Sequence, residues 1–155
     1  MSSLTAKAIE RLLNRGRIIN LTAATLTATN DVHGDKTVTV NAAAGSTITL
    51  PAANGLGTRL RFVVGTTVTS NNLIIQAASA ADTLTGIALI AQDAANTTVA
   101  FETASTSDTV TMNGTTKGGL KGNIIELEDI APGVWSINIT GAATGTEATP
   151  FIASV

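Results

Sequence analysis

The one histidine of this 155-residue chain stands between two aspartates, a combination that can bind a metal ion. In NDVHGDK, residues 30–36, the side chains of Asp31, His33 and Asp35 would share one face of an extended backbone. The same residues also suit a tight connection between strands, because glycine supplies positive φ and Asp or Asn caps its own turn. We favour the turn, and we expect no metal ion or other cofactor.

Two glutamates could form an acid–base pair. In ELED, residues 126–129, Glu126 and Glu128 lie on one face of a predicted strand, and Asp129 leads into a turn over residues 131–133. Glycosidases need two carboxylates on opposite sides of a cleft, and calcium needs about six to eight oxygen ligands. Because no other acids cluster with these in the sequence, we expect a solvated strand face.

A glycine-rich segment with two lysines, GTTKGGLKG at residues 114–122, could be taken for a phosphate-binding loop. It lacks the residue order of a P-loop, and no predicted helix follows it whose N-terminus could hold a phosphate. We therefore predict a long hairpin loop. Serine and threonine are abundant, but a lone histidine in a predicted turn leaves no base to activate them. We therefore expect that the chain is not an enzyme.

The composition limits the partners that the chain can have. Charged residues are 13% and aromatic residues 3% of the chain, and there is no cysteine. Nucleic-acid-binding proteins normally carry a basic patch or stripe, which the overall composition does not suggest. No window reaches the roughly 18 apolar residues that span a bilayer. We expect a single soluble domain that binds neither nucleic acid nor a membrane.

Positive charge is concentrated at the N-terminus. Residues 1–17 hold four basic side chains and Glu10, a net charge of +3, and the remaining five basic and ten acidic residues give −5. With a serine available as N-cap and Gly16 as a stop, we predict a helix over residues 3–15 that packs on its own domain or docks on a partner. Its apolar residues at helical spacing are Leu4, Ala8, Ile9, Leu12 and Leu13.

Residues that favour strands dominate from Arg17 onward. Threonine and valine are enriched in short segments, which Gly, Asn, Asp and Pro separate. About ten such segments without an intervening helix predict an all-β, antiparallel sandwich or barrel with jelly-roll-like proportions. The predicted strands cover residues 18–28, 36–41, 46–50, 59–65, 72–78, 84–91, 97–102, 108–113, 121–128 and 134–140.

The chain thus divides into an N-terminal basic arm (1–17), a β body (18–140) and a C-terminal arm (141–155). In the C-terminal arm, apolar surface is scarce until Phe151 and Ile152, and ordering the backbone costs about 1–2 kcal/mol per residue. We expect these two side chains to insert between strands or against a neighbouring subunit. Within the body, Trp135 is expected in the core. The runs FVV and LIIQ predict a core or subunit-contact position for Phe62, Val64, Leu73 and Ile75.

Several stretches resemble structural proteins of tailed bacteriophages. STITLPAANGLG, RFVVGTTVTS and LIIQA, between residues 46 and 77, contain a Thr-x-Thr-Leu-Pro strand end, a glycine-containing turn and a Phe-x-Val-Gly strand. AFETASTSDTVTMNGTT, GGLKGNIIELEDIAPGVWSI and GTEATPF are similar to small virion proteins, notably head decoration (capsid cement) proteins. The likeness runs from about residue 18 to 151, and related Thr-Leu-Pro patterns also occur in tail-fibre modules.

The resemblance implies a structural protein that binds the outer surface of a phage capsid and stabilises it, commonly as a homotrimer. Its partners would be the major capsid protein and further copies of itself, and it would be made in the bacterial cytoplasm before joining the virion. The alternatives are a tail-fibre or receptor- or carbohydrate-binding β module, and a small hydrolase. The residues expected to contact a partner are Leu4, Lys7, Ile9, Arg11, Leu12, Leu13, Arg15, Phe151 and Ile152.

Overall fold

A computed structural model describes residues 5–9 and 17–155 of the chain. These residues form two mixed β-sheets packed against each other, so the predicted all-β sandwich is confirmed. Residues 5–9 and Asn30–His33 are helical. The strands are β1 (Ile18–Leu21), β2 (Thr25–Thr27), β3 (Thr37–Val40), β4 (Ser46–Thr49), β5 (Arg59–Val64), β6 (Leu73–Gln76), β7 (Thr83–Gln92), β8 (Thr98–Glu102), β9 (Thr109–Met112), β10 (Ile124–Ala131), β11 (Val134–Ala143) and β12 (Phe151–Ile152).

The first six strands alternate between the two sheets. The larger sheet has the order β1-β3-β5-β10-β11-β7-β8 and the smaller sheet the order β12-β9-β6-β4-β2. Accordingly β1, β3 and β5 are parallel neighbours in one sheet, and β2, β4 and β6 are parallel neighbours in the other. This part of the chain winds as a coil of three turns, and each turn gives one strand to each sheet.

The parallel pairs correct the prediction of purely antiparallel strands. Parallel neighbours require a long crossover, which is usually a helix, and the sequence predicts no helix in the body. Here the crossover runs through a strand of the opposite sheet, which has the same alternating pattern as any half-buried strand. The predicted strand at residues 18–28 is wrong for a related reason, because residues 22–24 carry the chain from β1 in one sheet to β2 in the other.

The core lies between the inner faces of the sheets. Trp135 and Phe62 are its largest fully buried side chains, and Val64, Leu73 and Ile75 are fully buried with them. The core position predicted for Trp135 is therefore confirmed. For the other four residues the structure selects the core over the subunit contact, since none of them has surface left for a partner. The aliphatic runs FVV and LIIQ have no polar residue at alternate positions, yet their burial alternates, because one aliphatic residue of each is half-buried on the outer face.

The C-terminal arm ends as an edge strand of the smaller sheet. Phe151 pairs with Val110 of β9, and the Thr111 N–H donates to the Pro150 carbonyl at 2.7 Å. The Phe151 side chain is only 6% exposed and belongs to the core of its own chain, whereas Ile152 is half-buried. The arm therefore packs on its own domain, and a contact of these two residues with a partner stays a prediction.

A buried carboxylate also fixes the last residues of the arm. Asp108 accepts hydrogen bonds from the Ser154 N–H at 2.8 Å, from the Val155 N–H at 3.3 Å and from the Thr109 hydroxyl at 2.7 Å. Burial raises the pKa of Asp108, but the hydrogen bonds from these groups outweigh it and hold the pKa below its ordinary value of 3.8. The arm is tied by more than the two apolar residues that the sequence suggested.

Replacing Phe151 with alanine should lower the free energy of unfolding of the chain by about 3–5 kcal/mol, because it empties a core position. Ile152→Ala changes the adjacent, half-buried residue and is the matched control, with an expected loss of about 1 kcal/mol. Urea unfolding followed by the fluorescence of Trp135 measures both. Equal, small losses would show that Phe151 does not support the fold of a single chain.

Candidate functional site

Two segments that are far apart in the sequence meet at one end of the sandwich. The first is the loop PAANGLG, residues 51–57, which leads from β4 in the smaller sheet to β5 in the larger sheet. The second is ELEDIAPG, residues 126–133, at the end of β10. The loop needs glycine at Gly55, where φ is +73° and a Cβ would lie 3.2 Å from the Cα of Ala131. The loop and the strand end therefore approach each other closely.

Asp129 holds this loop with its buried carboxylate. The N–H groups of Asn54 and Leu56 donate to its Oδ2 at 3.0 and 3.1 Å, and the N–H of Gly55 donates to its Oδ1 at 2.6 Å. Asp82, also buried, accepts the preceding N–H, that of Ala53, at 3.2 Å. Two buried carboxylates thus bind four consecutive N–H groups of one loop. We call Asp82, Asp129 and residues 53–56 the aspartate joint.

The aspartate joint has a structural rather than a chemical character. Hydrogen bonds to an ionised carboxylate are among the strong ones in proteins, and a buried carboxylate is tolerated when such bonds satisfy it. Both oxygens of Asp129 accept main-chain N–H groups, and its own N–H and C=O bind the main chain of Thr58 and Gly57. The joint fixes residues 53–56, in the loop that connects the two sheets, to the end of β10.

The sequence placed Asp129 wrongly, at the entry to a turn. The strand continues through this residue to Ala131, and Asp129 is 0% exposed because it occupies the inward register of Ile125 and Leu127. An acid in the inward register of an alternating strand was the signal that could have identified it. Glu126 and Glu128 occupy the outward register, as predicted, and pair with Arg61 and Arg59 at 3.3 Å each on a solvated face.

The aspartate joint carries one large exposed apolar side chain, and a second one follows it directly in the sequence. Leu56, whose N–H binds the Asp129 carboxylate, is 70% exposed, and Ile130, the residue after Asp129, is 52% exposed. Exposed single apolar residues are common on protein surfaces. These two stand out because hydrogen bonds hold the loop that carries Leu56, and because Ile130 directly follows the aspartate that accepts those bonds. We call these two residues the Leu56–Ile130 surface.

The aspartates around His33 do not form a metal site. Residues 5–9 and 17–155 contain no group of three or more His, Asp or Glu side chains arranged to hold a metal ion. The predicted connection is present, with one turn of helix at Asn30–His33 and a positive φ of 56° at Asp35. His33 itself is buried, and the Thr29 N–H donates to its Nδ1 at 3.0 Å.

The loop at residues 114–122 is not the predicted hairpin. It joins β9 in the smaller sheet to β10 in the larger sheet, so its two strands are not neighbours. Asn123 organises its end, because Oδ1 of that residue accepts the N–H groups of Gly119 at 2.9 Å and Leu120 at 3.3 Å. These two N–H groups already donate to Asn123, so they are not free to bind a phosphate.

The N-terminal contact residues lie only partly within the described chain. Lys7 and Ile9 belong to the helical residues 5–9 and are exposed, Ile9 by 44%. The predicted helix over residues 3–15 is thus present at these five positions. The remaining predicted contacts of this segment fall outside the described residues: Leu4, Arg11, Leu12, Leu13 and Arg15.

Comparison with known proteins adds no family assignment. No protein-family model matches the chain, and no curated protein matches it significantly. Among the described residues, no helix has the length and apolar character needed to cross a membrane. The arrangement of the described residues is therefore the basis for proposing a function.

Replacing Asp129 with asparagine should lower the free energy of unfolding by about 3 kcal/mol, because the buried amide has one acceptor oxygen for three N–H donors and turns its own NH2 group towards a donor. Glu128→Gln, one residue away on the solvated face, is the matched control and should change it by less than about 0.5 kcal/mol. Urea unfolding followed by Trp135 fluorescence compares the two. Similar values for both variants would contradict the structural role of Asp129.

Stability should fall in mild acid because of His33. Burial lowers the pKa of His33, a hydrogen bond to Thr29 partly offsets this, and the charge of Lys36 lowers it further. His33 therefore binds a proton more readily in the unfolded chain than in the folded one. The contribution of neutral His33 to the free energy of unfolding is fully present above the ordinary pKa of 6.5 and is lost as the pH falls below it.

The measurement is urea unfolding of the wild type and of His33→Asn at about pH 7.5 and about pH 5. The variant keeps an acceptor near the position of Nδ1 and should lose less stability between these two pH values than the wild type does. Asp108 does not interfere, because its pKa lies below 3.8. An identical loss in both proteins would exclude His33 as the cause.

Proposed function

We propose that the chain is a structural protein of a tailed-phage virion, which binds the outer surface of the capsid as a homotrimer and stabilises it. One observation carries the proposal. PAANGLG and ELEDIAPG, which lie in stretches that resemble tailed-phage structural proteins, supply Asp129 and the loop of the aspartate joint and carry Leu56 and Ile130. The resemblance therefore covers residues that stabilise the fold and residues that are exposed for a contact. A decoration protein needs both.

The Leu56–Ile130 surface is suited to a contact with a large partner. Burying a leucine or isoleucine side chain contributes about 1.5–3 kcal/mol. The loop that carries Leu56 is already fixed by the aspartate joint, so little conformational entropy is lost on binding. The neighbouring Arg59–Glu128 pair supplies a polar rim, as protein interfaces commonly have.

The N-terminal segment is proposed as a second contact. Lys7 and Ile9 are exposed, and the segment carries a net charge of +3. Exposed ion pairs contribute only about 0–1 kcal/mol each, so the apolar residues of the segment would supply most of its affinity. Three copies of each contact in a trimer would add avidity to bonds that are individually weak.

Binding of this kind would stabilise the capsid by mass action. A ligand that binds the assembled shell but not its separated subunits shifts the equilibrium towards the shell. The protein would need no reactive side chain for this role. Its requirement would be a rigid body, which the coil of parallel strands and the aspartate joint supply.

The test uses the phage that encodes the chain, with the gene deleted, and purified protein added back to its capsids. Wild-type protein should raise the particle mass and the temperature at which the genome is released. Leu56→Ser/Ile130→Ser should bind at least about tenfold more weakly, through the loss of two apolar contacts. Sedimentation of the free protein should show a trimer.

Val32→Ser is the matched control, because Val32 is 51% exposed, like Ile130, but lies in the helical turn Asn30–His33, outside both proposed contacts. It should bind as the wild type does. No change of particle mass with wild-type protein would refute the capsid proposal. Unchanged binding of the double variant would refute only the Leu56–Ile130 surface, and a stable monomer at micromolar concentration would refute the trimer.

A further inference from the structure

A polar groove of about 660 Å³ lies on the outer face of the larger sheet. Ligand pockets of proteins fall in the range of about 300–1,000 Å³. It crosses four strands that are consecutive in the sheet, in the order β3, β5, β10 and β11. The side chains that matter for its chemistry are Arg59, Arg61, Glu126, Glu128, Ser136 and Asn138.

The register of the strands arranges these side chains in two rows. Arg61, Glu126 and Asn138 are direct neighbours across β5, β10 and β11, and Arg59, Glu128 and Ser136 form the next row. Strands lie about 4.8 Å apart and alternate residues of one strand about 6.6 Å apart. Each row therefore offers a guanidinium, a carboxylate and a small polar group at regular spacing.

The groove has unused hydrogen-bonding capacity. Arg61 uses Nε for Glu126 Oε1 at 3.3 Å and Nη1 for Thr37 Oγ1 at 3.2 Å, and Arg59 Nε lies 3.3 Å from Glu128 Oε2. Within the described part of the chain, the side chains of Ser136 and Asn138 make no hydrogen bond. Both exposed ion pairs keep donors and acceptors that face the groove, and these can bind a ligand without breaking the pairs.

The charges of the lining cancel. Lys36, Arg59 and Arg61 are balanced by Asp35, Glu126 and Glu128, so the groove favours neither an anion nor a cation. A guanidinium and a carboxylate are both planar groups that can hydrogen-bond two neighbouring polar atoms at once. Neighbouring hydroxyl groups on an uncharged chain match this pattern. We propose that the groove binds an uncharged oligosaccharide.

The affinity of one groove should be low. None of the described residues that line it is aromatic, so a sugar ring gains hydrogen bonds but no stacking surface. We expect a Kd of about 1 mM for one groove, and a gain in avidity when several copies face the same polysaccharide. The groove includes neither Leu56 nor Ile130, but it shares the Arg59–Glu128 pair with the rim of the proposed capsid contact. Sugar binding is therefore measured on the free protein.

The test is an NMR titration of the full-length, ¹⁵N-labelled protein with four probes: maltohexaose, cellohexaose, chitotriose and dextran. The amides of Arg61, Glu126, Ser136 and Asn138 should shift and approach saturation with at least one probe at about 10 mM, tenfold above the expected Kd. A heparin-derived hexasaccharide and hexalysine are the charged comparisons. The proposal would be overturned if none of these amide signals shifted with any of the four uncharged probes, or if either charged probe bound more strongly.

Ser136→Ala/Asn138→Ala removes the two uncharged polar groups and leaves both ion pairs, and it should weaken sugar binding at least about tenfold. Thr47→Ala/Thr49→Ala makes the matched change on an outer face of the smaller sheet and should leave binding unchanged. Unaltered amide shifts away from β11 show that the first variant is folded.

The same variants separate this proposal from the capsid proposal. The Ser136/Asn138 variant should still occupy capsids at the wild-type level. Wild-type sugar affinity in that variant would overturn the groove as the site. Loss of capsid occupancy in it, together with wild-type sugar affinity, would assign the groove to the shell contact and overturn the sugar site.

Discussion

A buried carboxylate must be satisfied by hydrogen bonds, and that requirement at Asp129 fixes the arrangement of one end of the molecule. The carboxylate lies in the core register of β10, and within residues 5–9 and 17–155 the groups that donate to it are the consecutive N–H groups of residues 54–56. The loop that meets this need also connects the two sheets. One interaction therefore links the smaller sheet, the larger sheet and the exposed Leu56.

The coil of parallel strands gives that interaction a rigid frame. Each turn of the coil contributes a strand to both sheets, so β3 and β4 are flanked on both sides, by β1 and β5 and by β2 and β6. The later strands extend each sheet, and β12 with the Asp108 hydrogen bonds fixes the end of the chain to β9. The outer faces that remain carry small polar residues, the paired charges of Glu126 and Glu128 with Arg61 and Arg59, and on β7 the exposed Ile87 and Leu89.

The sequence predicts the strands well and their neighbours poorly. Alternation identifies TVTV and STIT as half-buried strands, because burial of one face is a local property. It does not distinguish a parallel from an antiparallel neighbour, and the split of residues 18–28 into β1 and β2 depends on a sheet crossing with no local signal. The site shows the same limit. ELED predicts an exposed pair at Glu126 and Glu128, but the partners of Asp129 lie more than 70 residues earlier.

Amide hydrogen exchange of Asn54, Gly55 and Leu56 tests the central claim, that Asp129 locks this loop into the fold, most directly. If the lock is real, these three loop amides open only when the molecule unfolds, and they should exchange as slowly as the amide of Leu127 in β10. The Asn71 amide, in another loop with positive φ, serves as the reference for an ordinary loop position. Exchange of residues 54–56 at the rate of Asn71 would contradict the claim.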